Sequence, residues 1–367
     1  MKKFVLPLIF LFAFCALFAQ NGTNWAQTAV LDLDYMYQMY SDNHAGVVDS
    51  DNPAFKKKLD KEYKKARRLA LKAKTEYDYQ KALVTLLAPF KDVHMRVDFN
   101  NKVFPYTFKT PVDESLRRPV SVENFGDNSA WIYMNTFVNA DHSCKDIFEA
   151  YEKLAPEIEK LKNKDIIVLD VRYNGGGCFG LSNIVLRALY GDKYVEAANN
   201  NSYHGAIHYL RATPWVAQSM ADTGDSAENV NKLKQAIKDG QLFMTGWQGA
   251  GVQTPLPPTD LKARVYVLTD GKCVSACLNF MDTVKETNAV QIGRETNGDT
   301  RYVRGNSAVL PSGSGEITIA YERISGRRRK DNETYKPGFK FKGDMNDTAA
   351  LQKWILDLDT KLNKRKI

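Results

Sequence analysis

DIIVLDVR, residues 165–172, is apolar on both of its faces and passes directly into YNGGG and then GLSNIVLRALYG. A strand with no polar face is covered on both sides, which is the position of a central strand in a parallel sheet. The glycine loop and the helix pattern that follow make a βα unit, closed by a glycine where the pattern stops. The unit recurs. ARVYVLTD (263–270) is a second buried strand, GKCV a loop and SACLNFMDTVKET a helix, and VQIGRET (290–296) reads as a third strand. SAWIYMNTF (129–137) reads as a strand and DIFEAYEKLAPEIEKLKNK (146–164) as a helix. This alternation predicts an α/β fold with a mixed, largely parallel sheet and flanking helices.

The chain before this region has a different texture. Residues 56–90 are rich in Lys, Ala and Leu, carry apolar residues at helical spacing and end at Pro89. They place a small helical region, a three-helix unit, over residues 20–92. VHMRVDF (93–99) then alternates, with Val93, Met95, Val97 and Phe99 on one face and His94, Arg96 and Asp98 on the other, as a half-buried strand does. Residues 93–367 read as one α/β domain with an insertion at about 192–260, which has helical pieces and a Gly/Pro-rich end. The chain closes with a hairpin, SAVLPSGSGEITIAYERI, and a helix, TAALQKWILDLDTKL.

MKK followed by FVLPLIFLFAFCALFA has the charged start and apolar run of a secretory signal peptide, with Ala19 offering a cleavage point before Gln20. Residues 1–19, Cys15 among them, are expected to be removed, and the mature chain to be exported to the periplasm or beyond the cell. No later apolar run is long enough to span a membrane, so no stable insertion is expected. In an oxidising compartment Cys144, Cys178, Cys273 and Cys277 can form two disulfides in three pairings. A tie between Cys178 and the segment 273–277 is the expectation. With 44% hydrophobic residues the core is large enough that the fold does not depend on disulfides or a metal. The formal charge of +8 concentrates in GRRRKDN (326–332) and in the terminal KLNKRKI. Both clusters are short and lack interleaved aromatics, so they read as solvated surface and not as a nucleic-acid site.

In parallel α/β sheets, sites form where the loops leave the carboxyl ends of strands. Two such loops are present, NGGG after residue 173 and GKCVSA after residue 270. Ser275 stands at the start of its helix, where unpaired N–H groups and the helix dipole favour a developing oxyanion. The Gly175–Gly177 loop lets backbone approach a substrate without side chains in the way. The competing reading of Ser275 is an ordinary helix cap. A serine nucleophile needs a base, and the histidines are His44, His94, His142, His204 and His208. His94 follows Asp92 closely. His204 and His208 form HGAIH, which lacks the glutamate of a zinc-peptidase helix. NGGG has neither phosphate-loop nor dinucleotide-loop spacing.

Together these segments resemble the exported serine peptidases of the tail-specific protease and tricorn-core family. IIVLDVRYNGGG looks like that family's Asp-x-Arg-x-Asn-x-Gly-Gly loop, VYVLTDGKCVSACLNF its nucleophile segment and VQIGRETNG its Gly-x-x-Thr-x-Gly stretch. The resemblance implies a crotonase/ClpP-like core, a nucleophile at Ser275, and an oxyanion hole of Ala276 N–H with the Gly176 and Gly177 backbone. The tail-specific branch carries a lysine after the glycine of the last stretch, where this chain has Asp299 after Gly298. The interval after His94 is also too short for a PDZ domain. Both departures resemble the tricorn-like branch, in which a histidine is the base, and KDVHMRV places His94 there. Glu333, shortly before Pro337, is the nearest match for a supporting carboxylate. The reading is a serine peptidase of peptide or protein substrates that needs no metal or organic cofactor. A non-catalytic peptide- or glycan-associated binding protein on the same scaffold is the alternative, and an esterase of the same geometry is a second. Oligomeric state is not legible in the sequence.

Overall fold

The computed structural model describes residues 23–105, 117–139 and 144–364. The expected signal segment, Cys15 and His142 lie outside the described residues.

Three helices open the described chain: α1 (Trp25–Asn43), α2 (Ala54–Ala70) and α3 (Glu76–Leu87). Asn24 caps α1 by accepting the Gln27 N–H, and a Thr75/Asp78 capping box starts α3. In α2 the buried positions Phe55, Leu59, Ala66 and Ala70 share one face, so the Lys/Arg-rich remainder faces solvent.

The chain continues through β1 (Arg96–Phe99), β2 (Ser121–Phe125), β3 (Ser129–Tyr133), α4 (Lys145–Glu159), β4 (Ile166–Asp170) and α5 (Leu181–Tyr190). Residues of the expected insertion form α6 (Asp192–Ser202), β5 (Ile207–Arg211), α7 (Pro214–Asp222), α8 (Ala227–Lys238) and β6 (Phe243–Gln248). Then come β7 (Arg264–Thr269), α9 (Ala276–Val284), β8 (Val290–Gly293), β9 (Tyr302–Val309), β10 (Gly315–Ser325), β11 (Phe339–Lys340) and α10 (Thr348–Lys364).

The strands make two sheets. One has the order β11-β8-β7-β4-β3-β2 and is parallel throughout except for the β2–β3 pair. Its central strands are covered on both faces, as the unbroken apolar run at 165–172 requires. Ile167 and Leu169 of β4 join a core with α4, α5 and α9, while Ile166 and Val168 point the other way, towards Leu351 and Ile355 of α10. The second sheet, β1-β10-β5-β6 with β9 on β10, is antiparallel. The N-terminal helices pack Leu33, Met36 and Leu83 on its Val97, Ile317 and Ile319. β9 and β10 are the expected hairpin.

The strand expected to begin at Val93 begins at Arg96. Lys91 is left-handed (φ 52°) and the Asp92 carboxylate accepts the His94 N–H at 2.9 Å, so the chain turns at His94 before it extends.

Candidate active site

β4 delivers the glycine loop. Asp170 at its end pairs with Arg172 at 2.6 Å and accepts the Trp131 indole N–H at 3.0 Å, all of it buried. Arg172 also donates to the Met345 carbonyl. Asn174 donates to the Met134 carbonyl (2.7 Å) and accepts the Gly176 N–H (2.9 Å). The Asp-x-Arg-x-Asn residues thus shape the loop and do not face a substrate. The glycines are sterically required. A Cβ on Gly176 (φ 91°) would lie 2.7 Å from the Val274 carbonyl oxygen and 2.8 Å from Ser275 Cβ. One on Gly177 (φ 128°) would lie 2.3 Å from the Phe137 carbonyl oxygen. The glycine loop therefore lies directly against the serine turn. Asp270 joins the loops from below, accepting the Tyr173 N–H at 3.0 Å and the Lys272 N–H at 2.8 Å. Burial pushes its carboxyl above the ordinary range, against the pull of those two bonds.

β7 delivers the serine. Ser275 has φ 58° and ψ −123°, a conformation costly for any residue but glycine. Its hydroxyl makes no capping bond to α9, which removes the ordinary reading of a serine at a helix start. Instead Oγ lies 3.0 Å from His94 Nε2. The Gly176 N–H is engaged by Asn174, leaving the Gly177 and Ala276 amides without an acceptor among the described residues.

The cysteines pair otherwise than expected. Cys273 bonds Cys277 across the serine turn, and Cys144 bonds Cys178 at the end of the glycine loop. The physical reason is local. The Cys178 N–H bonds the Phe137 carbonyl at 2.6 Å, which ties the end of the glycine loop to the residues that follow β3. Four residues across the turn into α9 bring Cys273 and Cys277 to a Cα–Cα distance of 5.2 Å, within disulfide reach.

His94 reaches this centre from the turn before β1. Asp92 is 1% exposed; its Oδ1 accepts the His94 N–H, and its Oδ2 accepts the Thr300 hydroxyl at 2.6 Å. Asp92 Oδ1 stands 3.6 Å from His94 Nδ1, which is buried without a hydrogen-bond partner among the described residues. Burial pushes the Asp92 carboxyl up. The hydrogen bond and charge of His94, the charge of His44 and the Thr300 hydroxyl outweigh it and hold the carboxyl below its ordinary value.

Glu333 is not brought to this pair. Its carboxylate accepts the Lys330 N–H at 2.8 Å and lines a cavity of about 700 Å³ with Lys285, Gln291 and Lys336. The carboxylate beside His94 is that of Asp92, which the sequence marks only as the acid two positions before the histidine. Thr300 left no signal of its own. Asp299, at the position of the absent lysine, is buried and pairs with Arg327 at 2.7 Å and with Arg329, which also binds Asp282. The GRRRKDN cluster is therefore not a wholly solvated surface: the Arg327 and Arg329 side chains are 6% and 2% exposed. His204 lies in a turn and His208 on β5, where it pairs with Glu322, so HGAIH is not a helical ligand pair. No helix among the described residues is long and apolar enough to cross a membrane.

No curated protein matches the sequence. Among solved structures, mature CPAF superposes with a TM-score of 0.51 at 11% identity, over 87% of this chain and 93% of that one. CPAF complexed with lactacystin gives a TM-score of 0.53 at 10% identity, over 92% and 100%. The tricorn protease is similar over 92% of this chain and 37% of its own, at 12% identity and a TM-score of 0.45. At these identities the CPAF likeness shows a common fold. The sequence pattern of peptidase family S41 matches residues 128–334, more than half of the chain and the whole of the glycine-loop and serine segments. The chain belongs to peptidase family S41 and is a serine-type peptidase.

Proposed function

We propose that this chain is an exported peptidase of the tricorn-like kind in which Ser275 is the nucleophile and His94 its base. The observation that carries the reading is the 3.0 Å separation of Ser275 Oγ and His94 Nε2, made by a serine that does not cap its own helix. Ser275 Oγ attacks the scissile carbonyl carbon while its proton passes to His94 Nε2. The oxyanion is received by the Ala276 N–H and the glycine loop. There Gly177 supplies the free amide and Gly176 the close backbone approach. The tetrahedral adduct collapses as His94 returns the proton to the leaving amine, and water then hydrolyses the acyl-serine by the same route. Asp92 stabilises the imidazolium. Backbone amides and one imidazole suffice for these steps, so the reaction as written draws on no cofactor.

Labelling with a fluorophosphonate probe tests the proposal. Wild type is modified on Ser275 and Ser275→Ala is not. Folded wild-type protein that takes no label rejects the nucleophile and favours a peptide- or glycan-binding role for the scaffold. Export is tested separately, by sequencing the N-terminus of the mature protein from the natural host. A chain starting at Gln20 agrees with it, and one starting at Met1 rejects it.

A further inference from the structure

His44, just past the C-terminal end of α1, is fully buried and has no part in the chemistry proposed above. Its Nδ1 accepts the Gly46 N–H at 3.0 Å. An accepting ring nitrogen carries no proton, so the neutral imidazole bears its proton on Nε2. Nε2 is buried with no hydrogen-bond partner among the described residues. A buried donor without an acceptor is disfavoured, and such exceptions call for a functional account.

The surroundings of the ring lead to the proposed base. It stacks on Phe55 at 4.6 Å and meets Tyr302 edge-on at 5.1 Å. The Tyr302 N–H donates to Thr300 Oγ1 at 3.1 Å, and the Thr300 hydroxyl donates to Asp92 Oδ2. On the other side, Phe55 packs on Phe90, two residues before Asp92. Asp92 and His94 are the titratable groups that act on the ring. Burial pushes it down to about 4 against the attraction of Asp92, so it is neutral at ordinary pH.

We infer that His44 is a positioning residue for His94: its Nε2–H donates to the Asp92 carboxylate during turnover and holds that carboxylate against His94 Nδ1. Two imidazole nitrogens without partners, His44 Nε2 and His94 Nδ1, then share one acid as their acceptor. A neutral donor suits the task. It orients Asp92 without cancelling the negative charge that His94 needs when it takes up the serine proton. A protonated His44 would compete for Asp92 and repel the imidazolium. The inference rests on the Ser275–His94 chemistry proposed above.

Three substitutions separate the two nitrogens of His44. His44→Phe keeps the ring in its aromatic box and removes both. His44→Asn sets an oxygen near the Nδ1 position and restores only the bond to Gly46. His44→Gln sets an amide donor near the Nε2 position and restores only the bond to Asp92. The readout is the fluorophosphonate reaction, resolved into maximal rate and half-saturating concentration. His44→Phe should lower the maximal rate by ~10- to 100-fold, the effect of one hydrogen bond to a charged group, at unchanged half-saturation. His44→Gln should recover most of the rate and His44→Asn little of it. Recovery by His44→Asn alone overturns the inference, because the histidine is then only a cap. Wild type that does not react at all rejects the Ser275 chemistry instead. If the variants do not fold, nitrogen-15 NMR of histidine-labelled wild type decides. His44 should be protonated on Nε2 at neutral pH, and that proton's resonance should move in Asp92→Asn. A proton on Nδ1, or a resonance that stays in place, overturns the inference.

Discussion

Ser275 and His94 meet from opposite sheets, and the two halves of the pair are held by different means. Ser275 stands beyond β7 of the parallel sheet and is fixed by backbone: a left-handed turn, a glycine loop pressed against it, and a disulfide across it. His94 stands on a turn before the antiparallel sheet and is fixed by side chains: Asp92 on its amide, Thr300 on Asp92, and the packed end of the N-terminal helices behind. Ser275 and the glycine loop lie inside the segment that matches the family, whereas Asp92 and His94 precede it. A geometry made by backbone tolerates few residue types and marks the sequence with glycines. One made by side-chain contacts between distant segments leaves almost no local mark.

The contrast can be broken by substitution. On the histidine side, His94→Ala removes the base and should lower the turnover rate by ~10⁴- to 10⁶-fold, with labelling of Ser275 lost. Unchanged labelling would reject His94 as base. Asp92→Asn should cost less, ~10²- to 10⁴-fold in turnover, because the imidazole remains but loses its charge partner. Glu333→Gln is the control, expected to turn over like wild type. A Glu333→Gln loss that matched or exceeded that of Asp92→Asn would reverse the assignment of the supporting carboxylate.

The serine side should show its restraints in stability. By chain entropy, removing Cys144–Cys178, which closes the longer loop, costs about 4 kcal/mol, and removing Cys273–Cys277 about 2 kcal/mol. Denaturant midpoints of the paired Cys→Ser variants measure this. Activity should fall in the opposite order, because the shorter bridge spans the nucleophile.

A pH titration sharpens the comparison on the histidine side. Burial sets His44 below its ordinary value, so its neutral form is the one that folding favours. Its contribution is complete above about pH 6.5 and is lost as the pH falls toward 4. The displacement from 6.5 to about 4 corresponds to about 3 kcal/mol. Denaturant midpoints measured from neutral pH downward should decline through this window. His44→Phe should flatten the decline, leaving the steeper loss at lower pH to carboxylates such as Asp92, which are stabilised in their charged form. An equal slope in wild type and His44→Phe would contradict the buried neutral ring.

Much of the fold was legible because burial on both faces leaves a pattern. The runs at 165–172 and 263–270 could only be central strands, and β4 and β7 lie side by side in parallel register. The three N-terminal helices and the β9–β10 hairpin were readable for the same reason, as periodicity and turn residues. The strand at His94 was misplaced because alternation continues through Val93 and Met95, while the Asp92 side chain captures the His94 amide and turns the chain there. The antiparallel role of β5 and β6 has no local signature because β5 pairs with β10, about a hundred residues away, and β6 joins the sheet only through β5.

By itself, then, the sequence determined the parallel core, the glycine loop and the serine turn, since each rests on contacts within a few residues or on which types a tight backbone admits. Tertiary structure alone decided that His94 reaches Ser275, that Asp92 and not Glu333 stands beside it, that the disulfides run 144–178 and 273–277, and that two arginines of a seemingly exposed basic cluster are buried on Asp299. The His94–Ser275 contact, the Cys144–Cys178 bridge and the Asp299–arginine pairs join groups whose separation depends on how distant segments pack, and the Cys273–Cys277 bridge and the Asp92–His94 contact depend on turns whose exact path side-chain types alone do not encode.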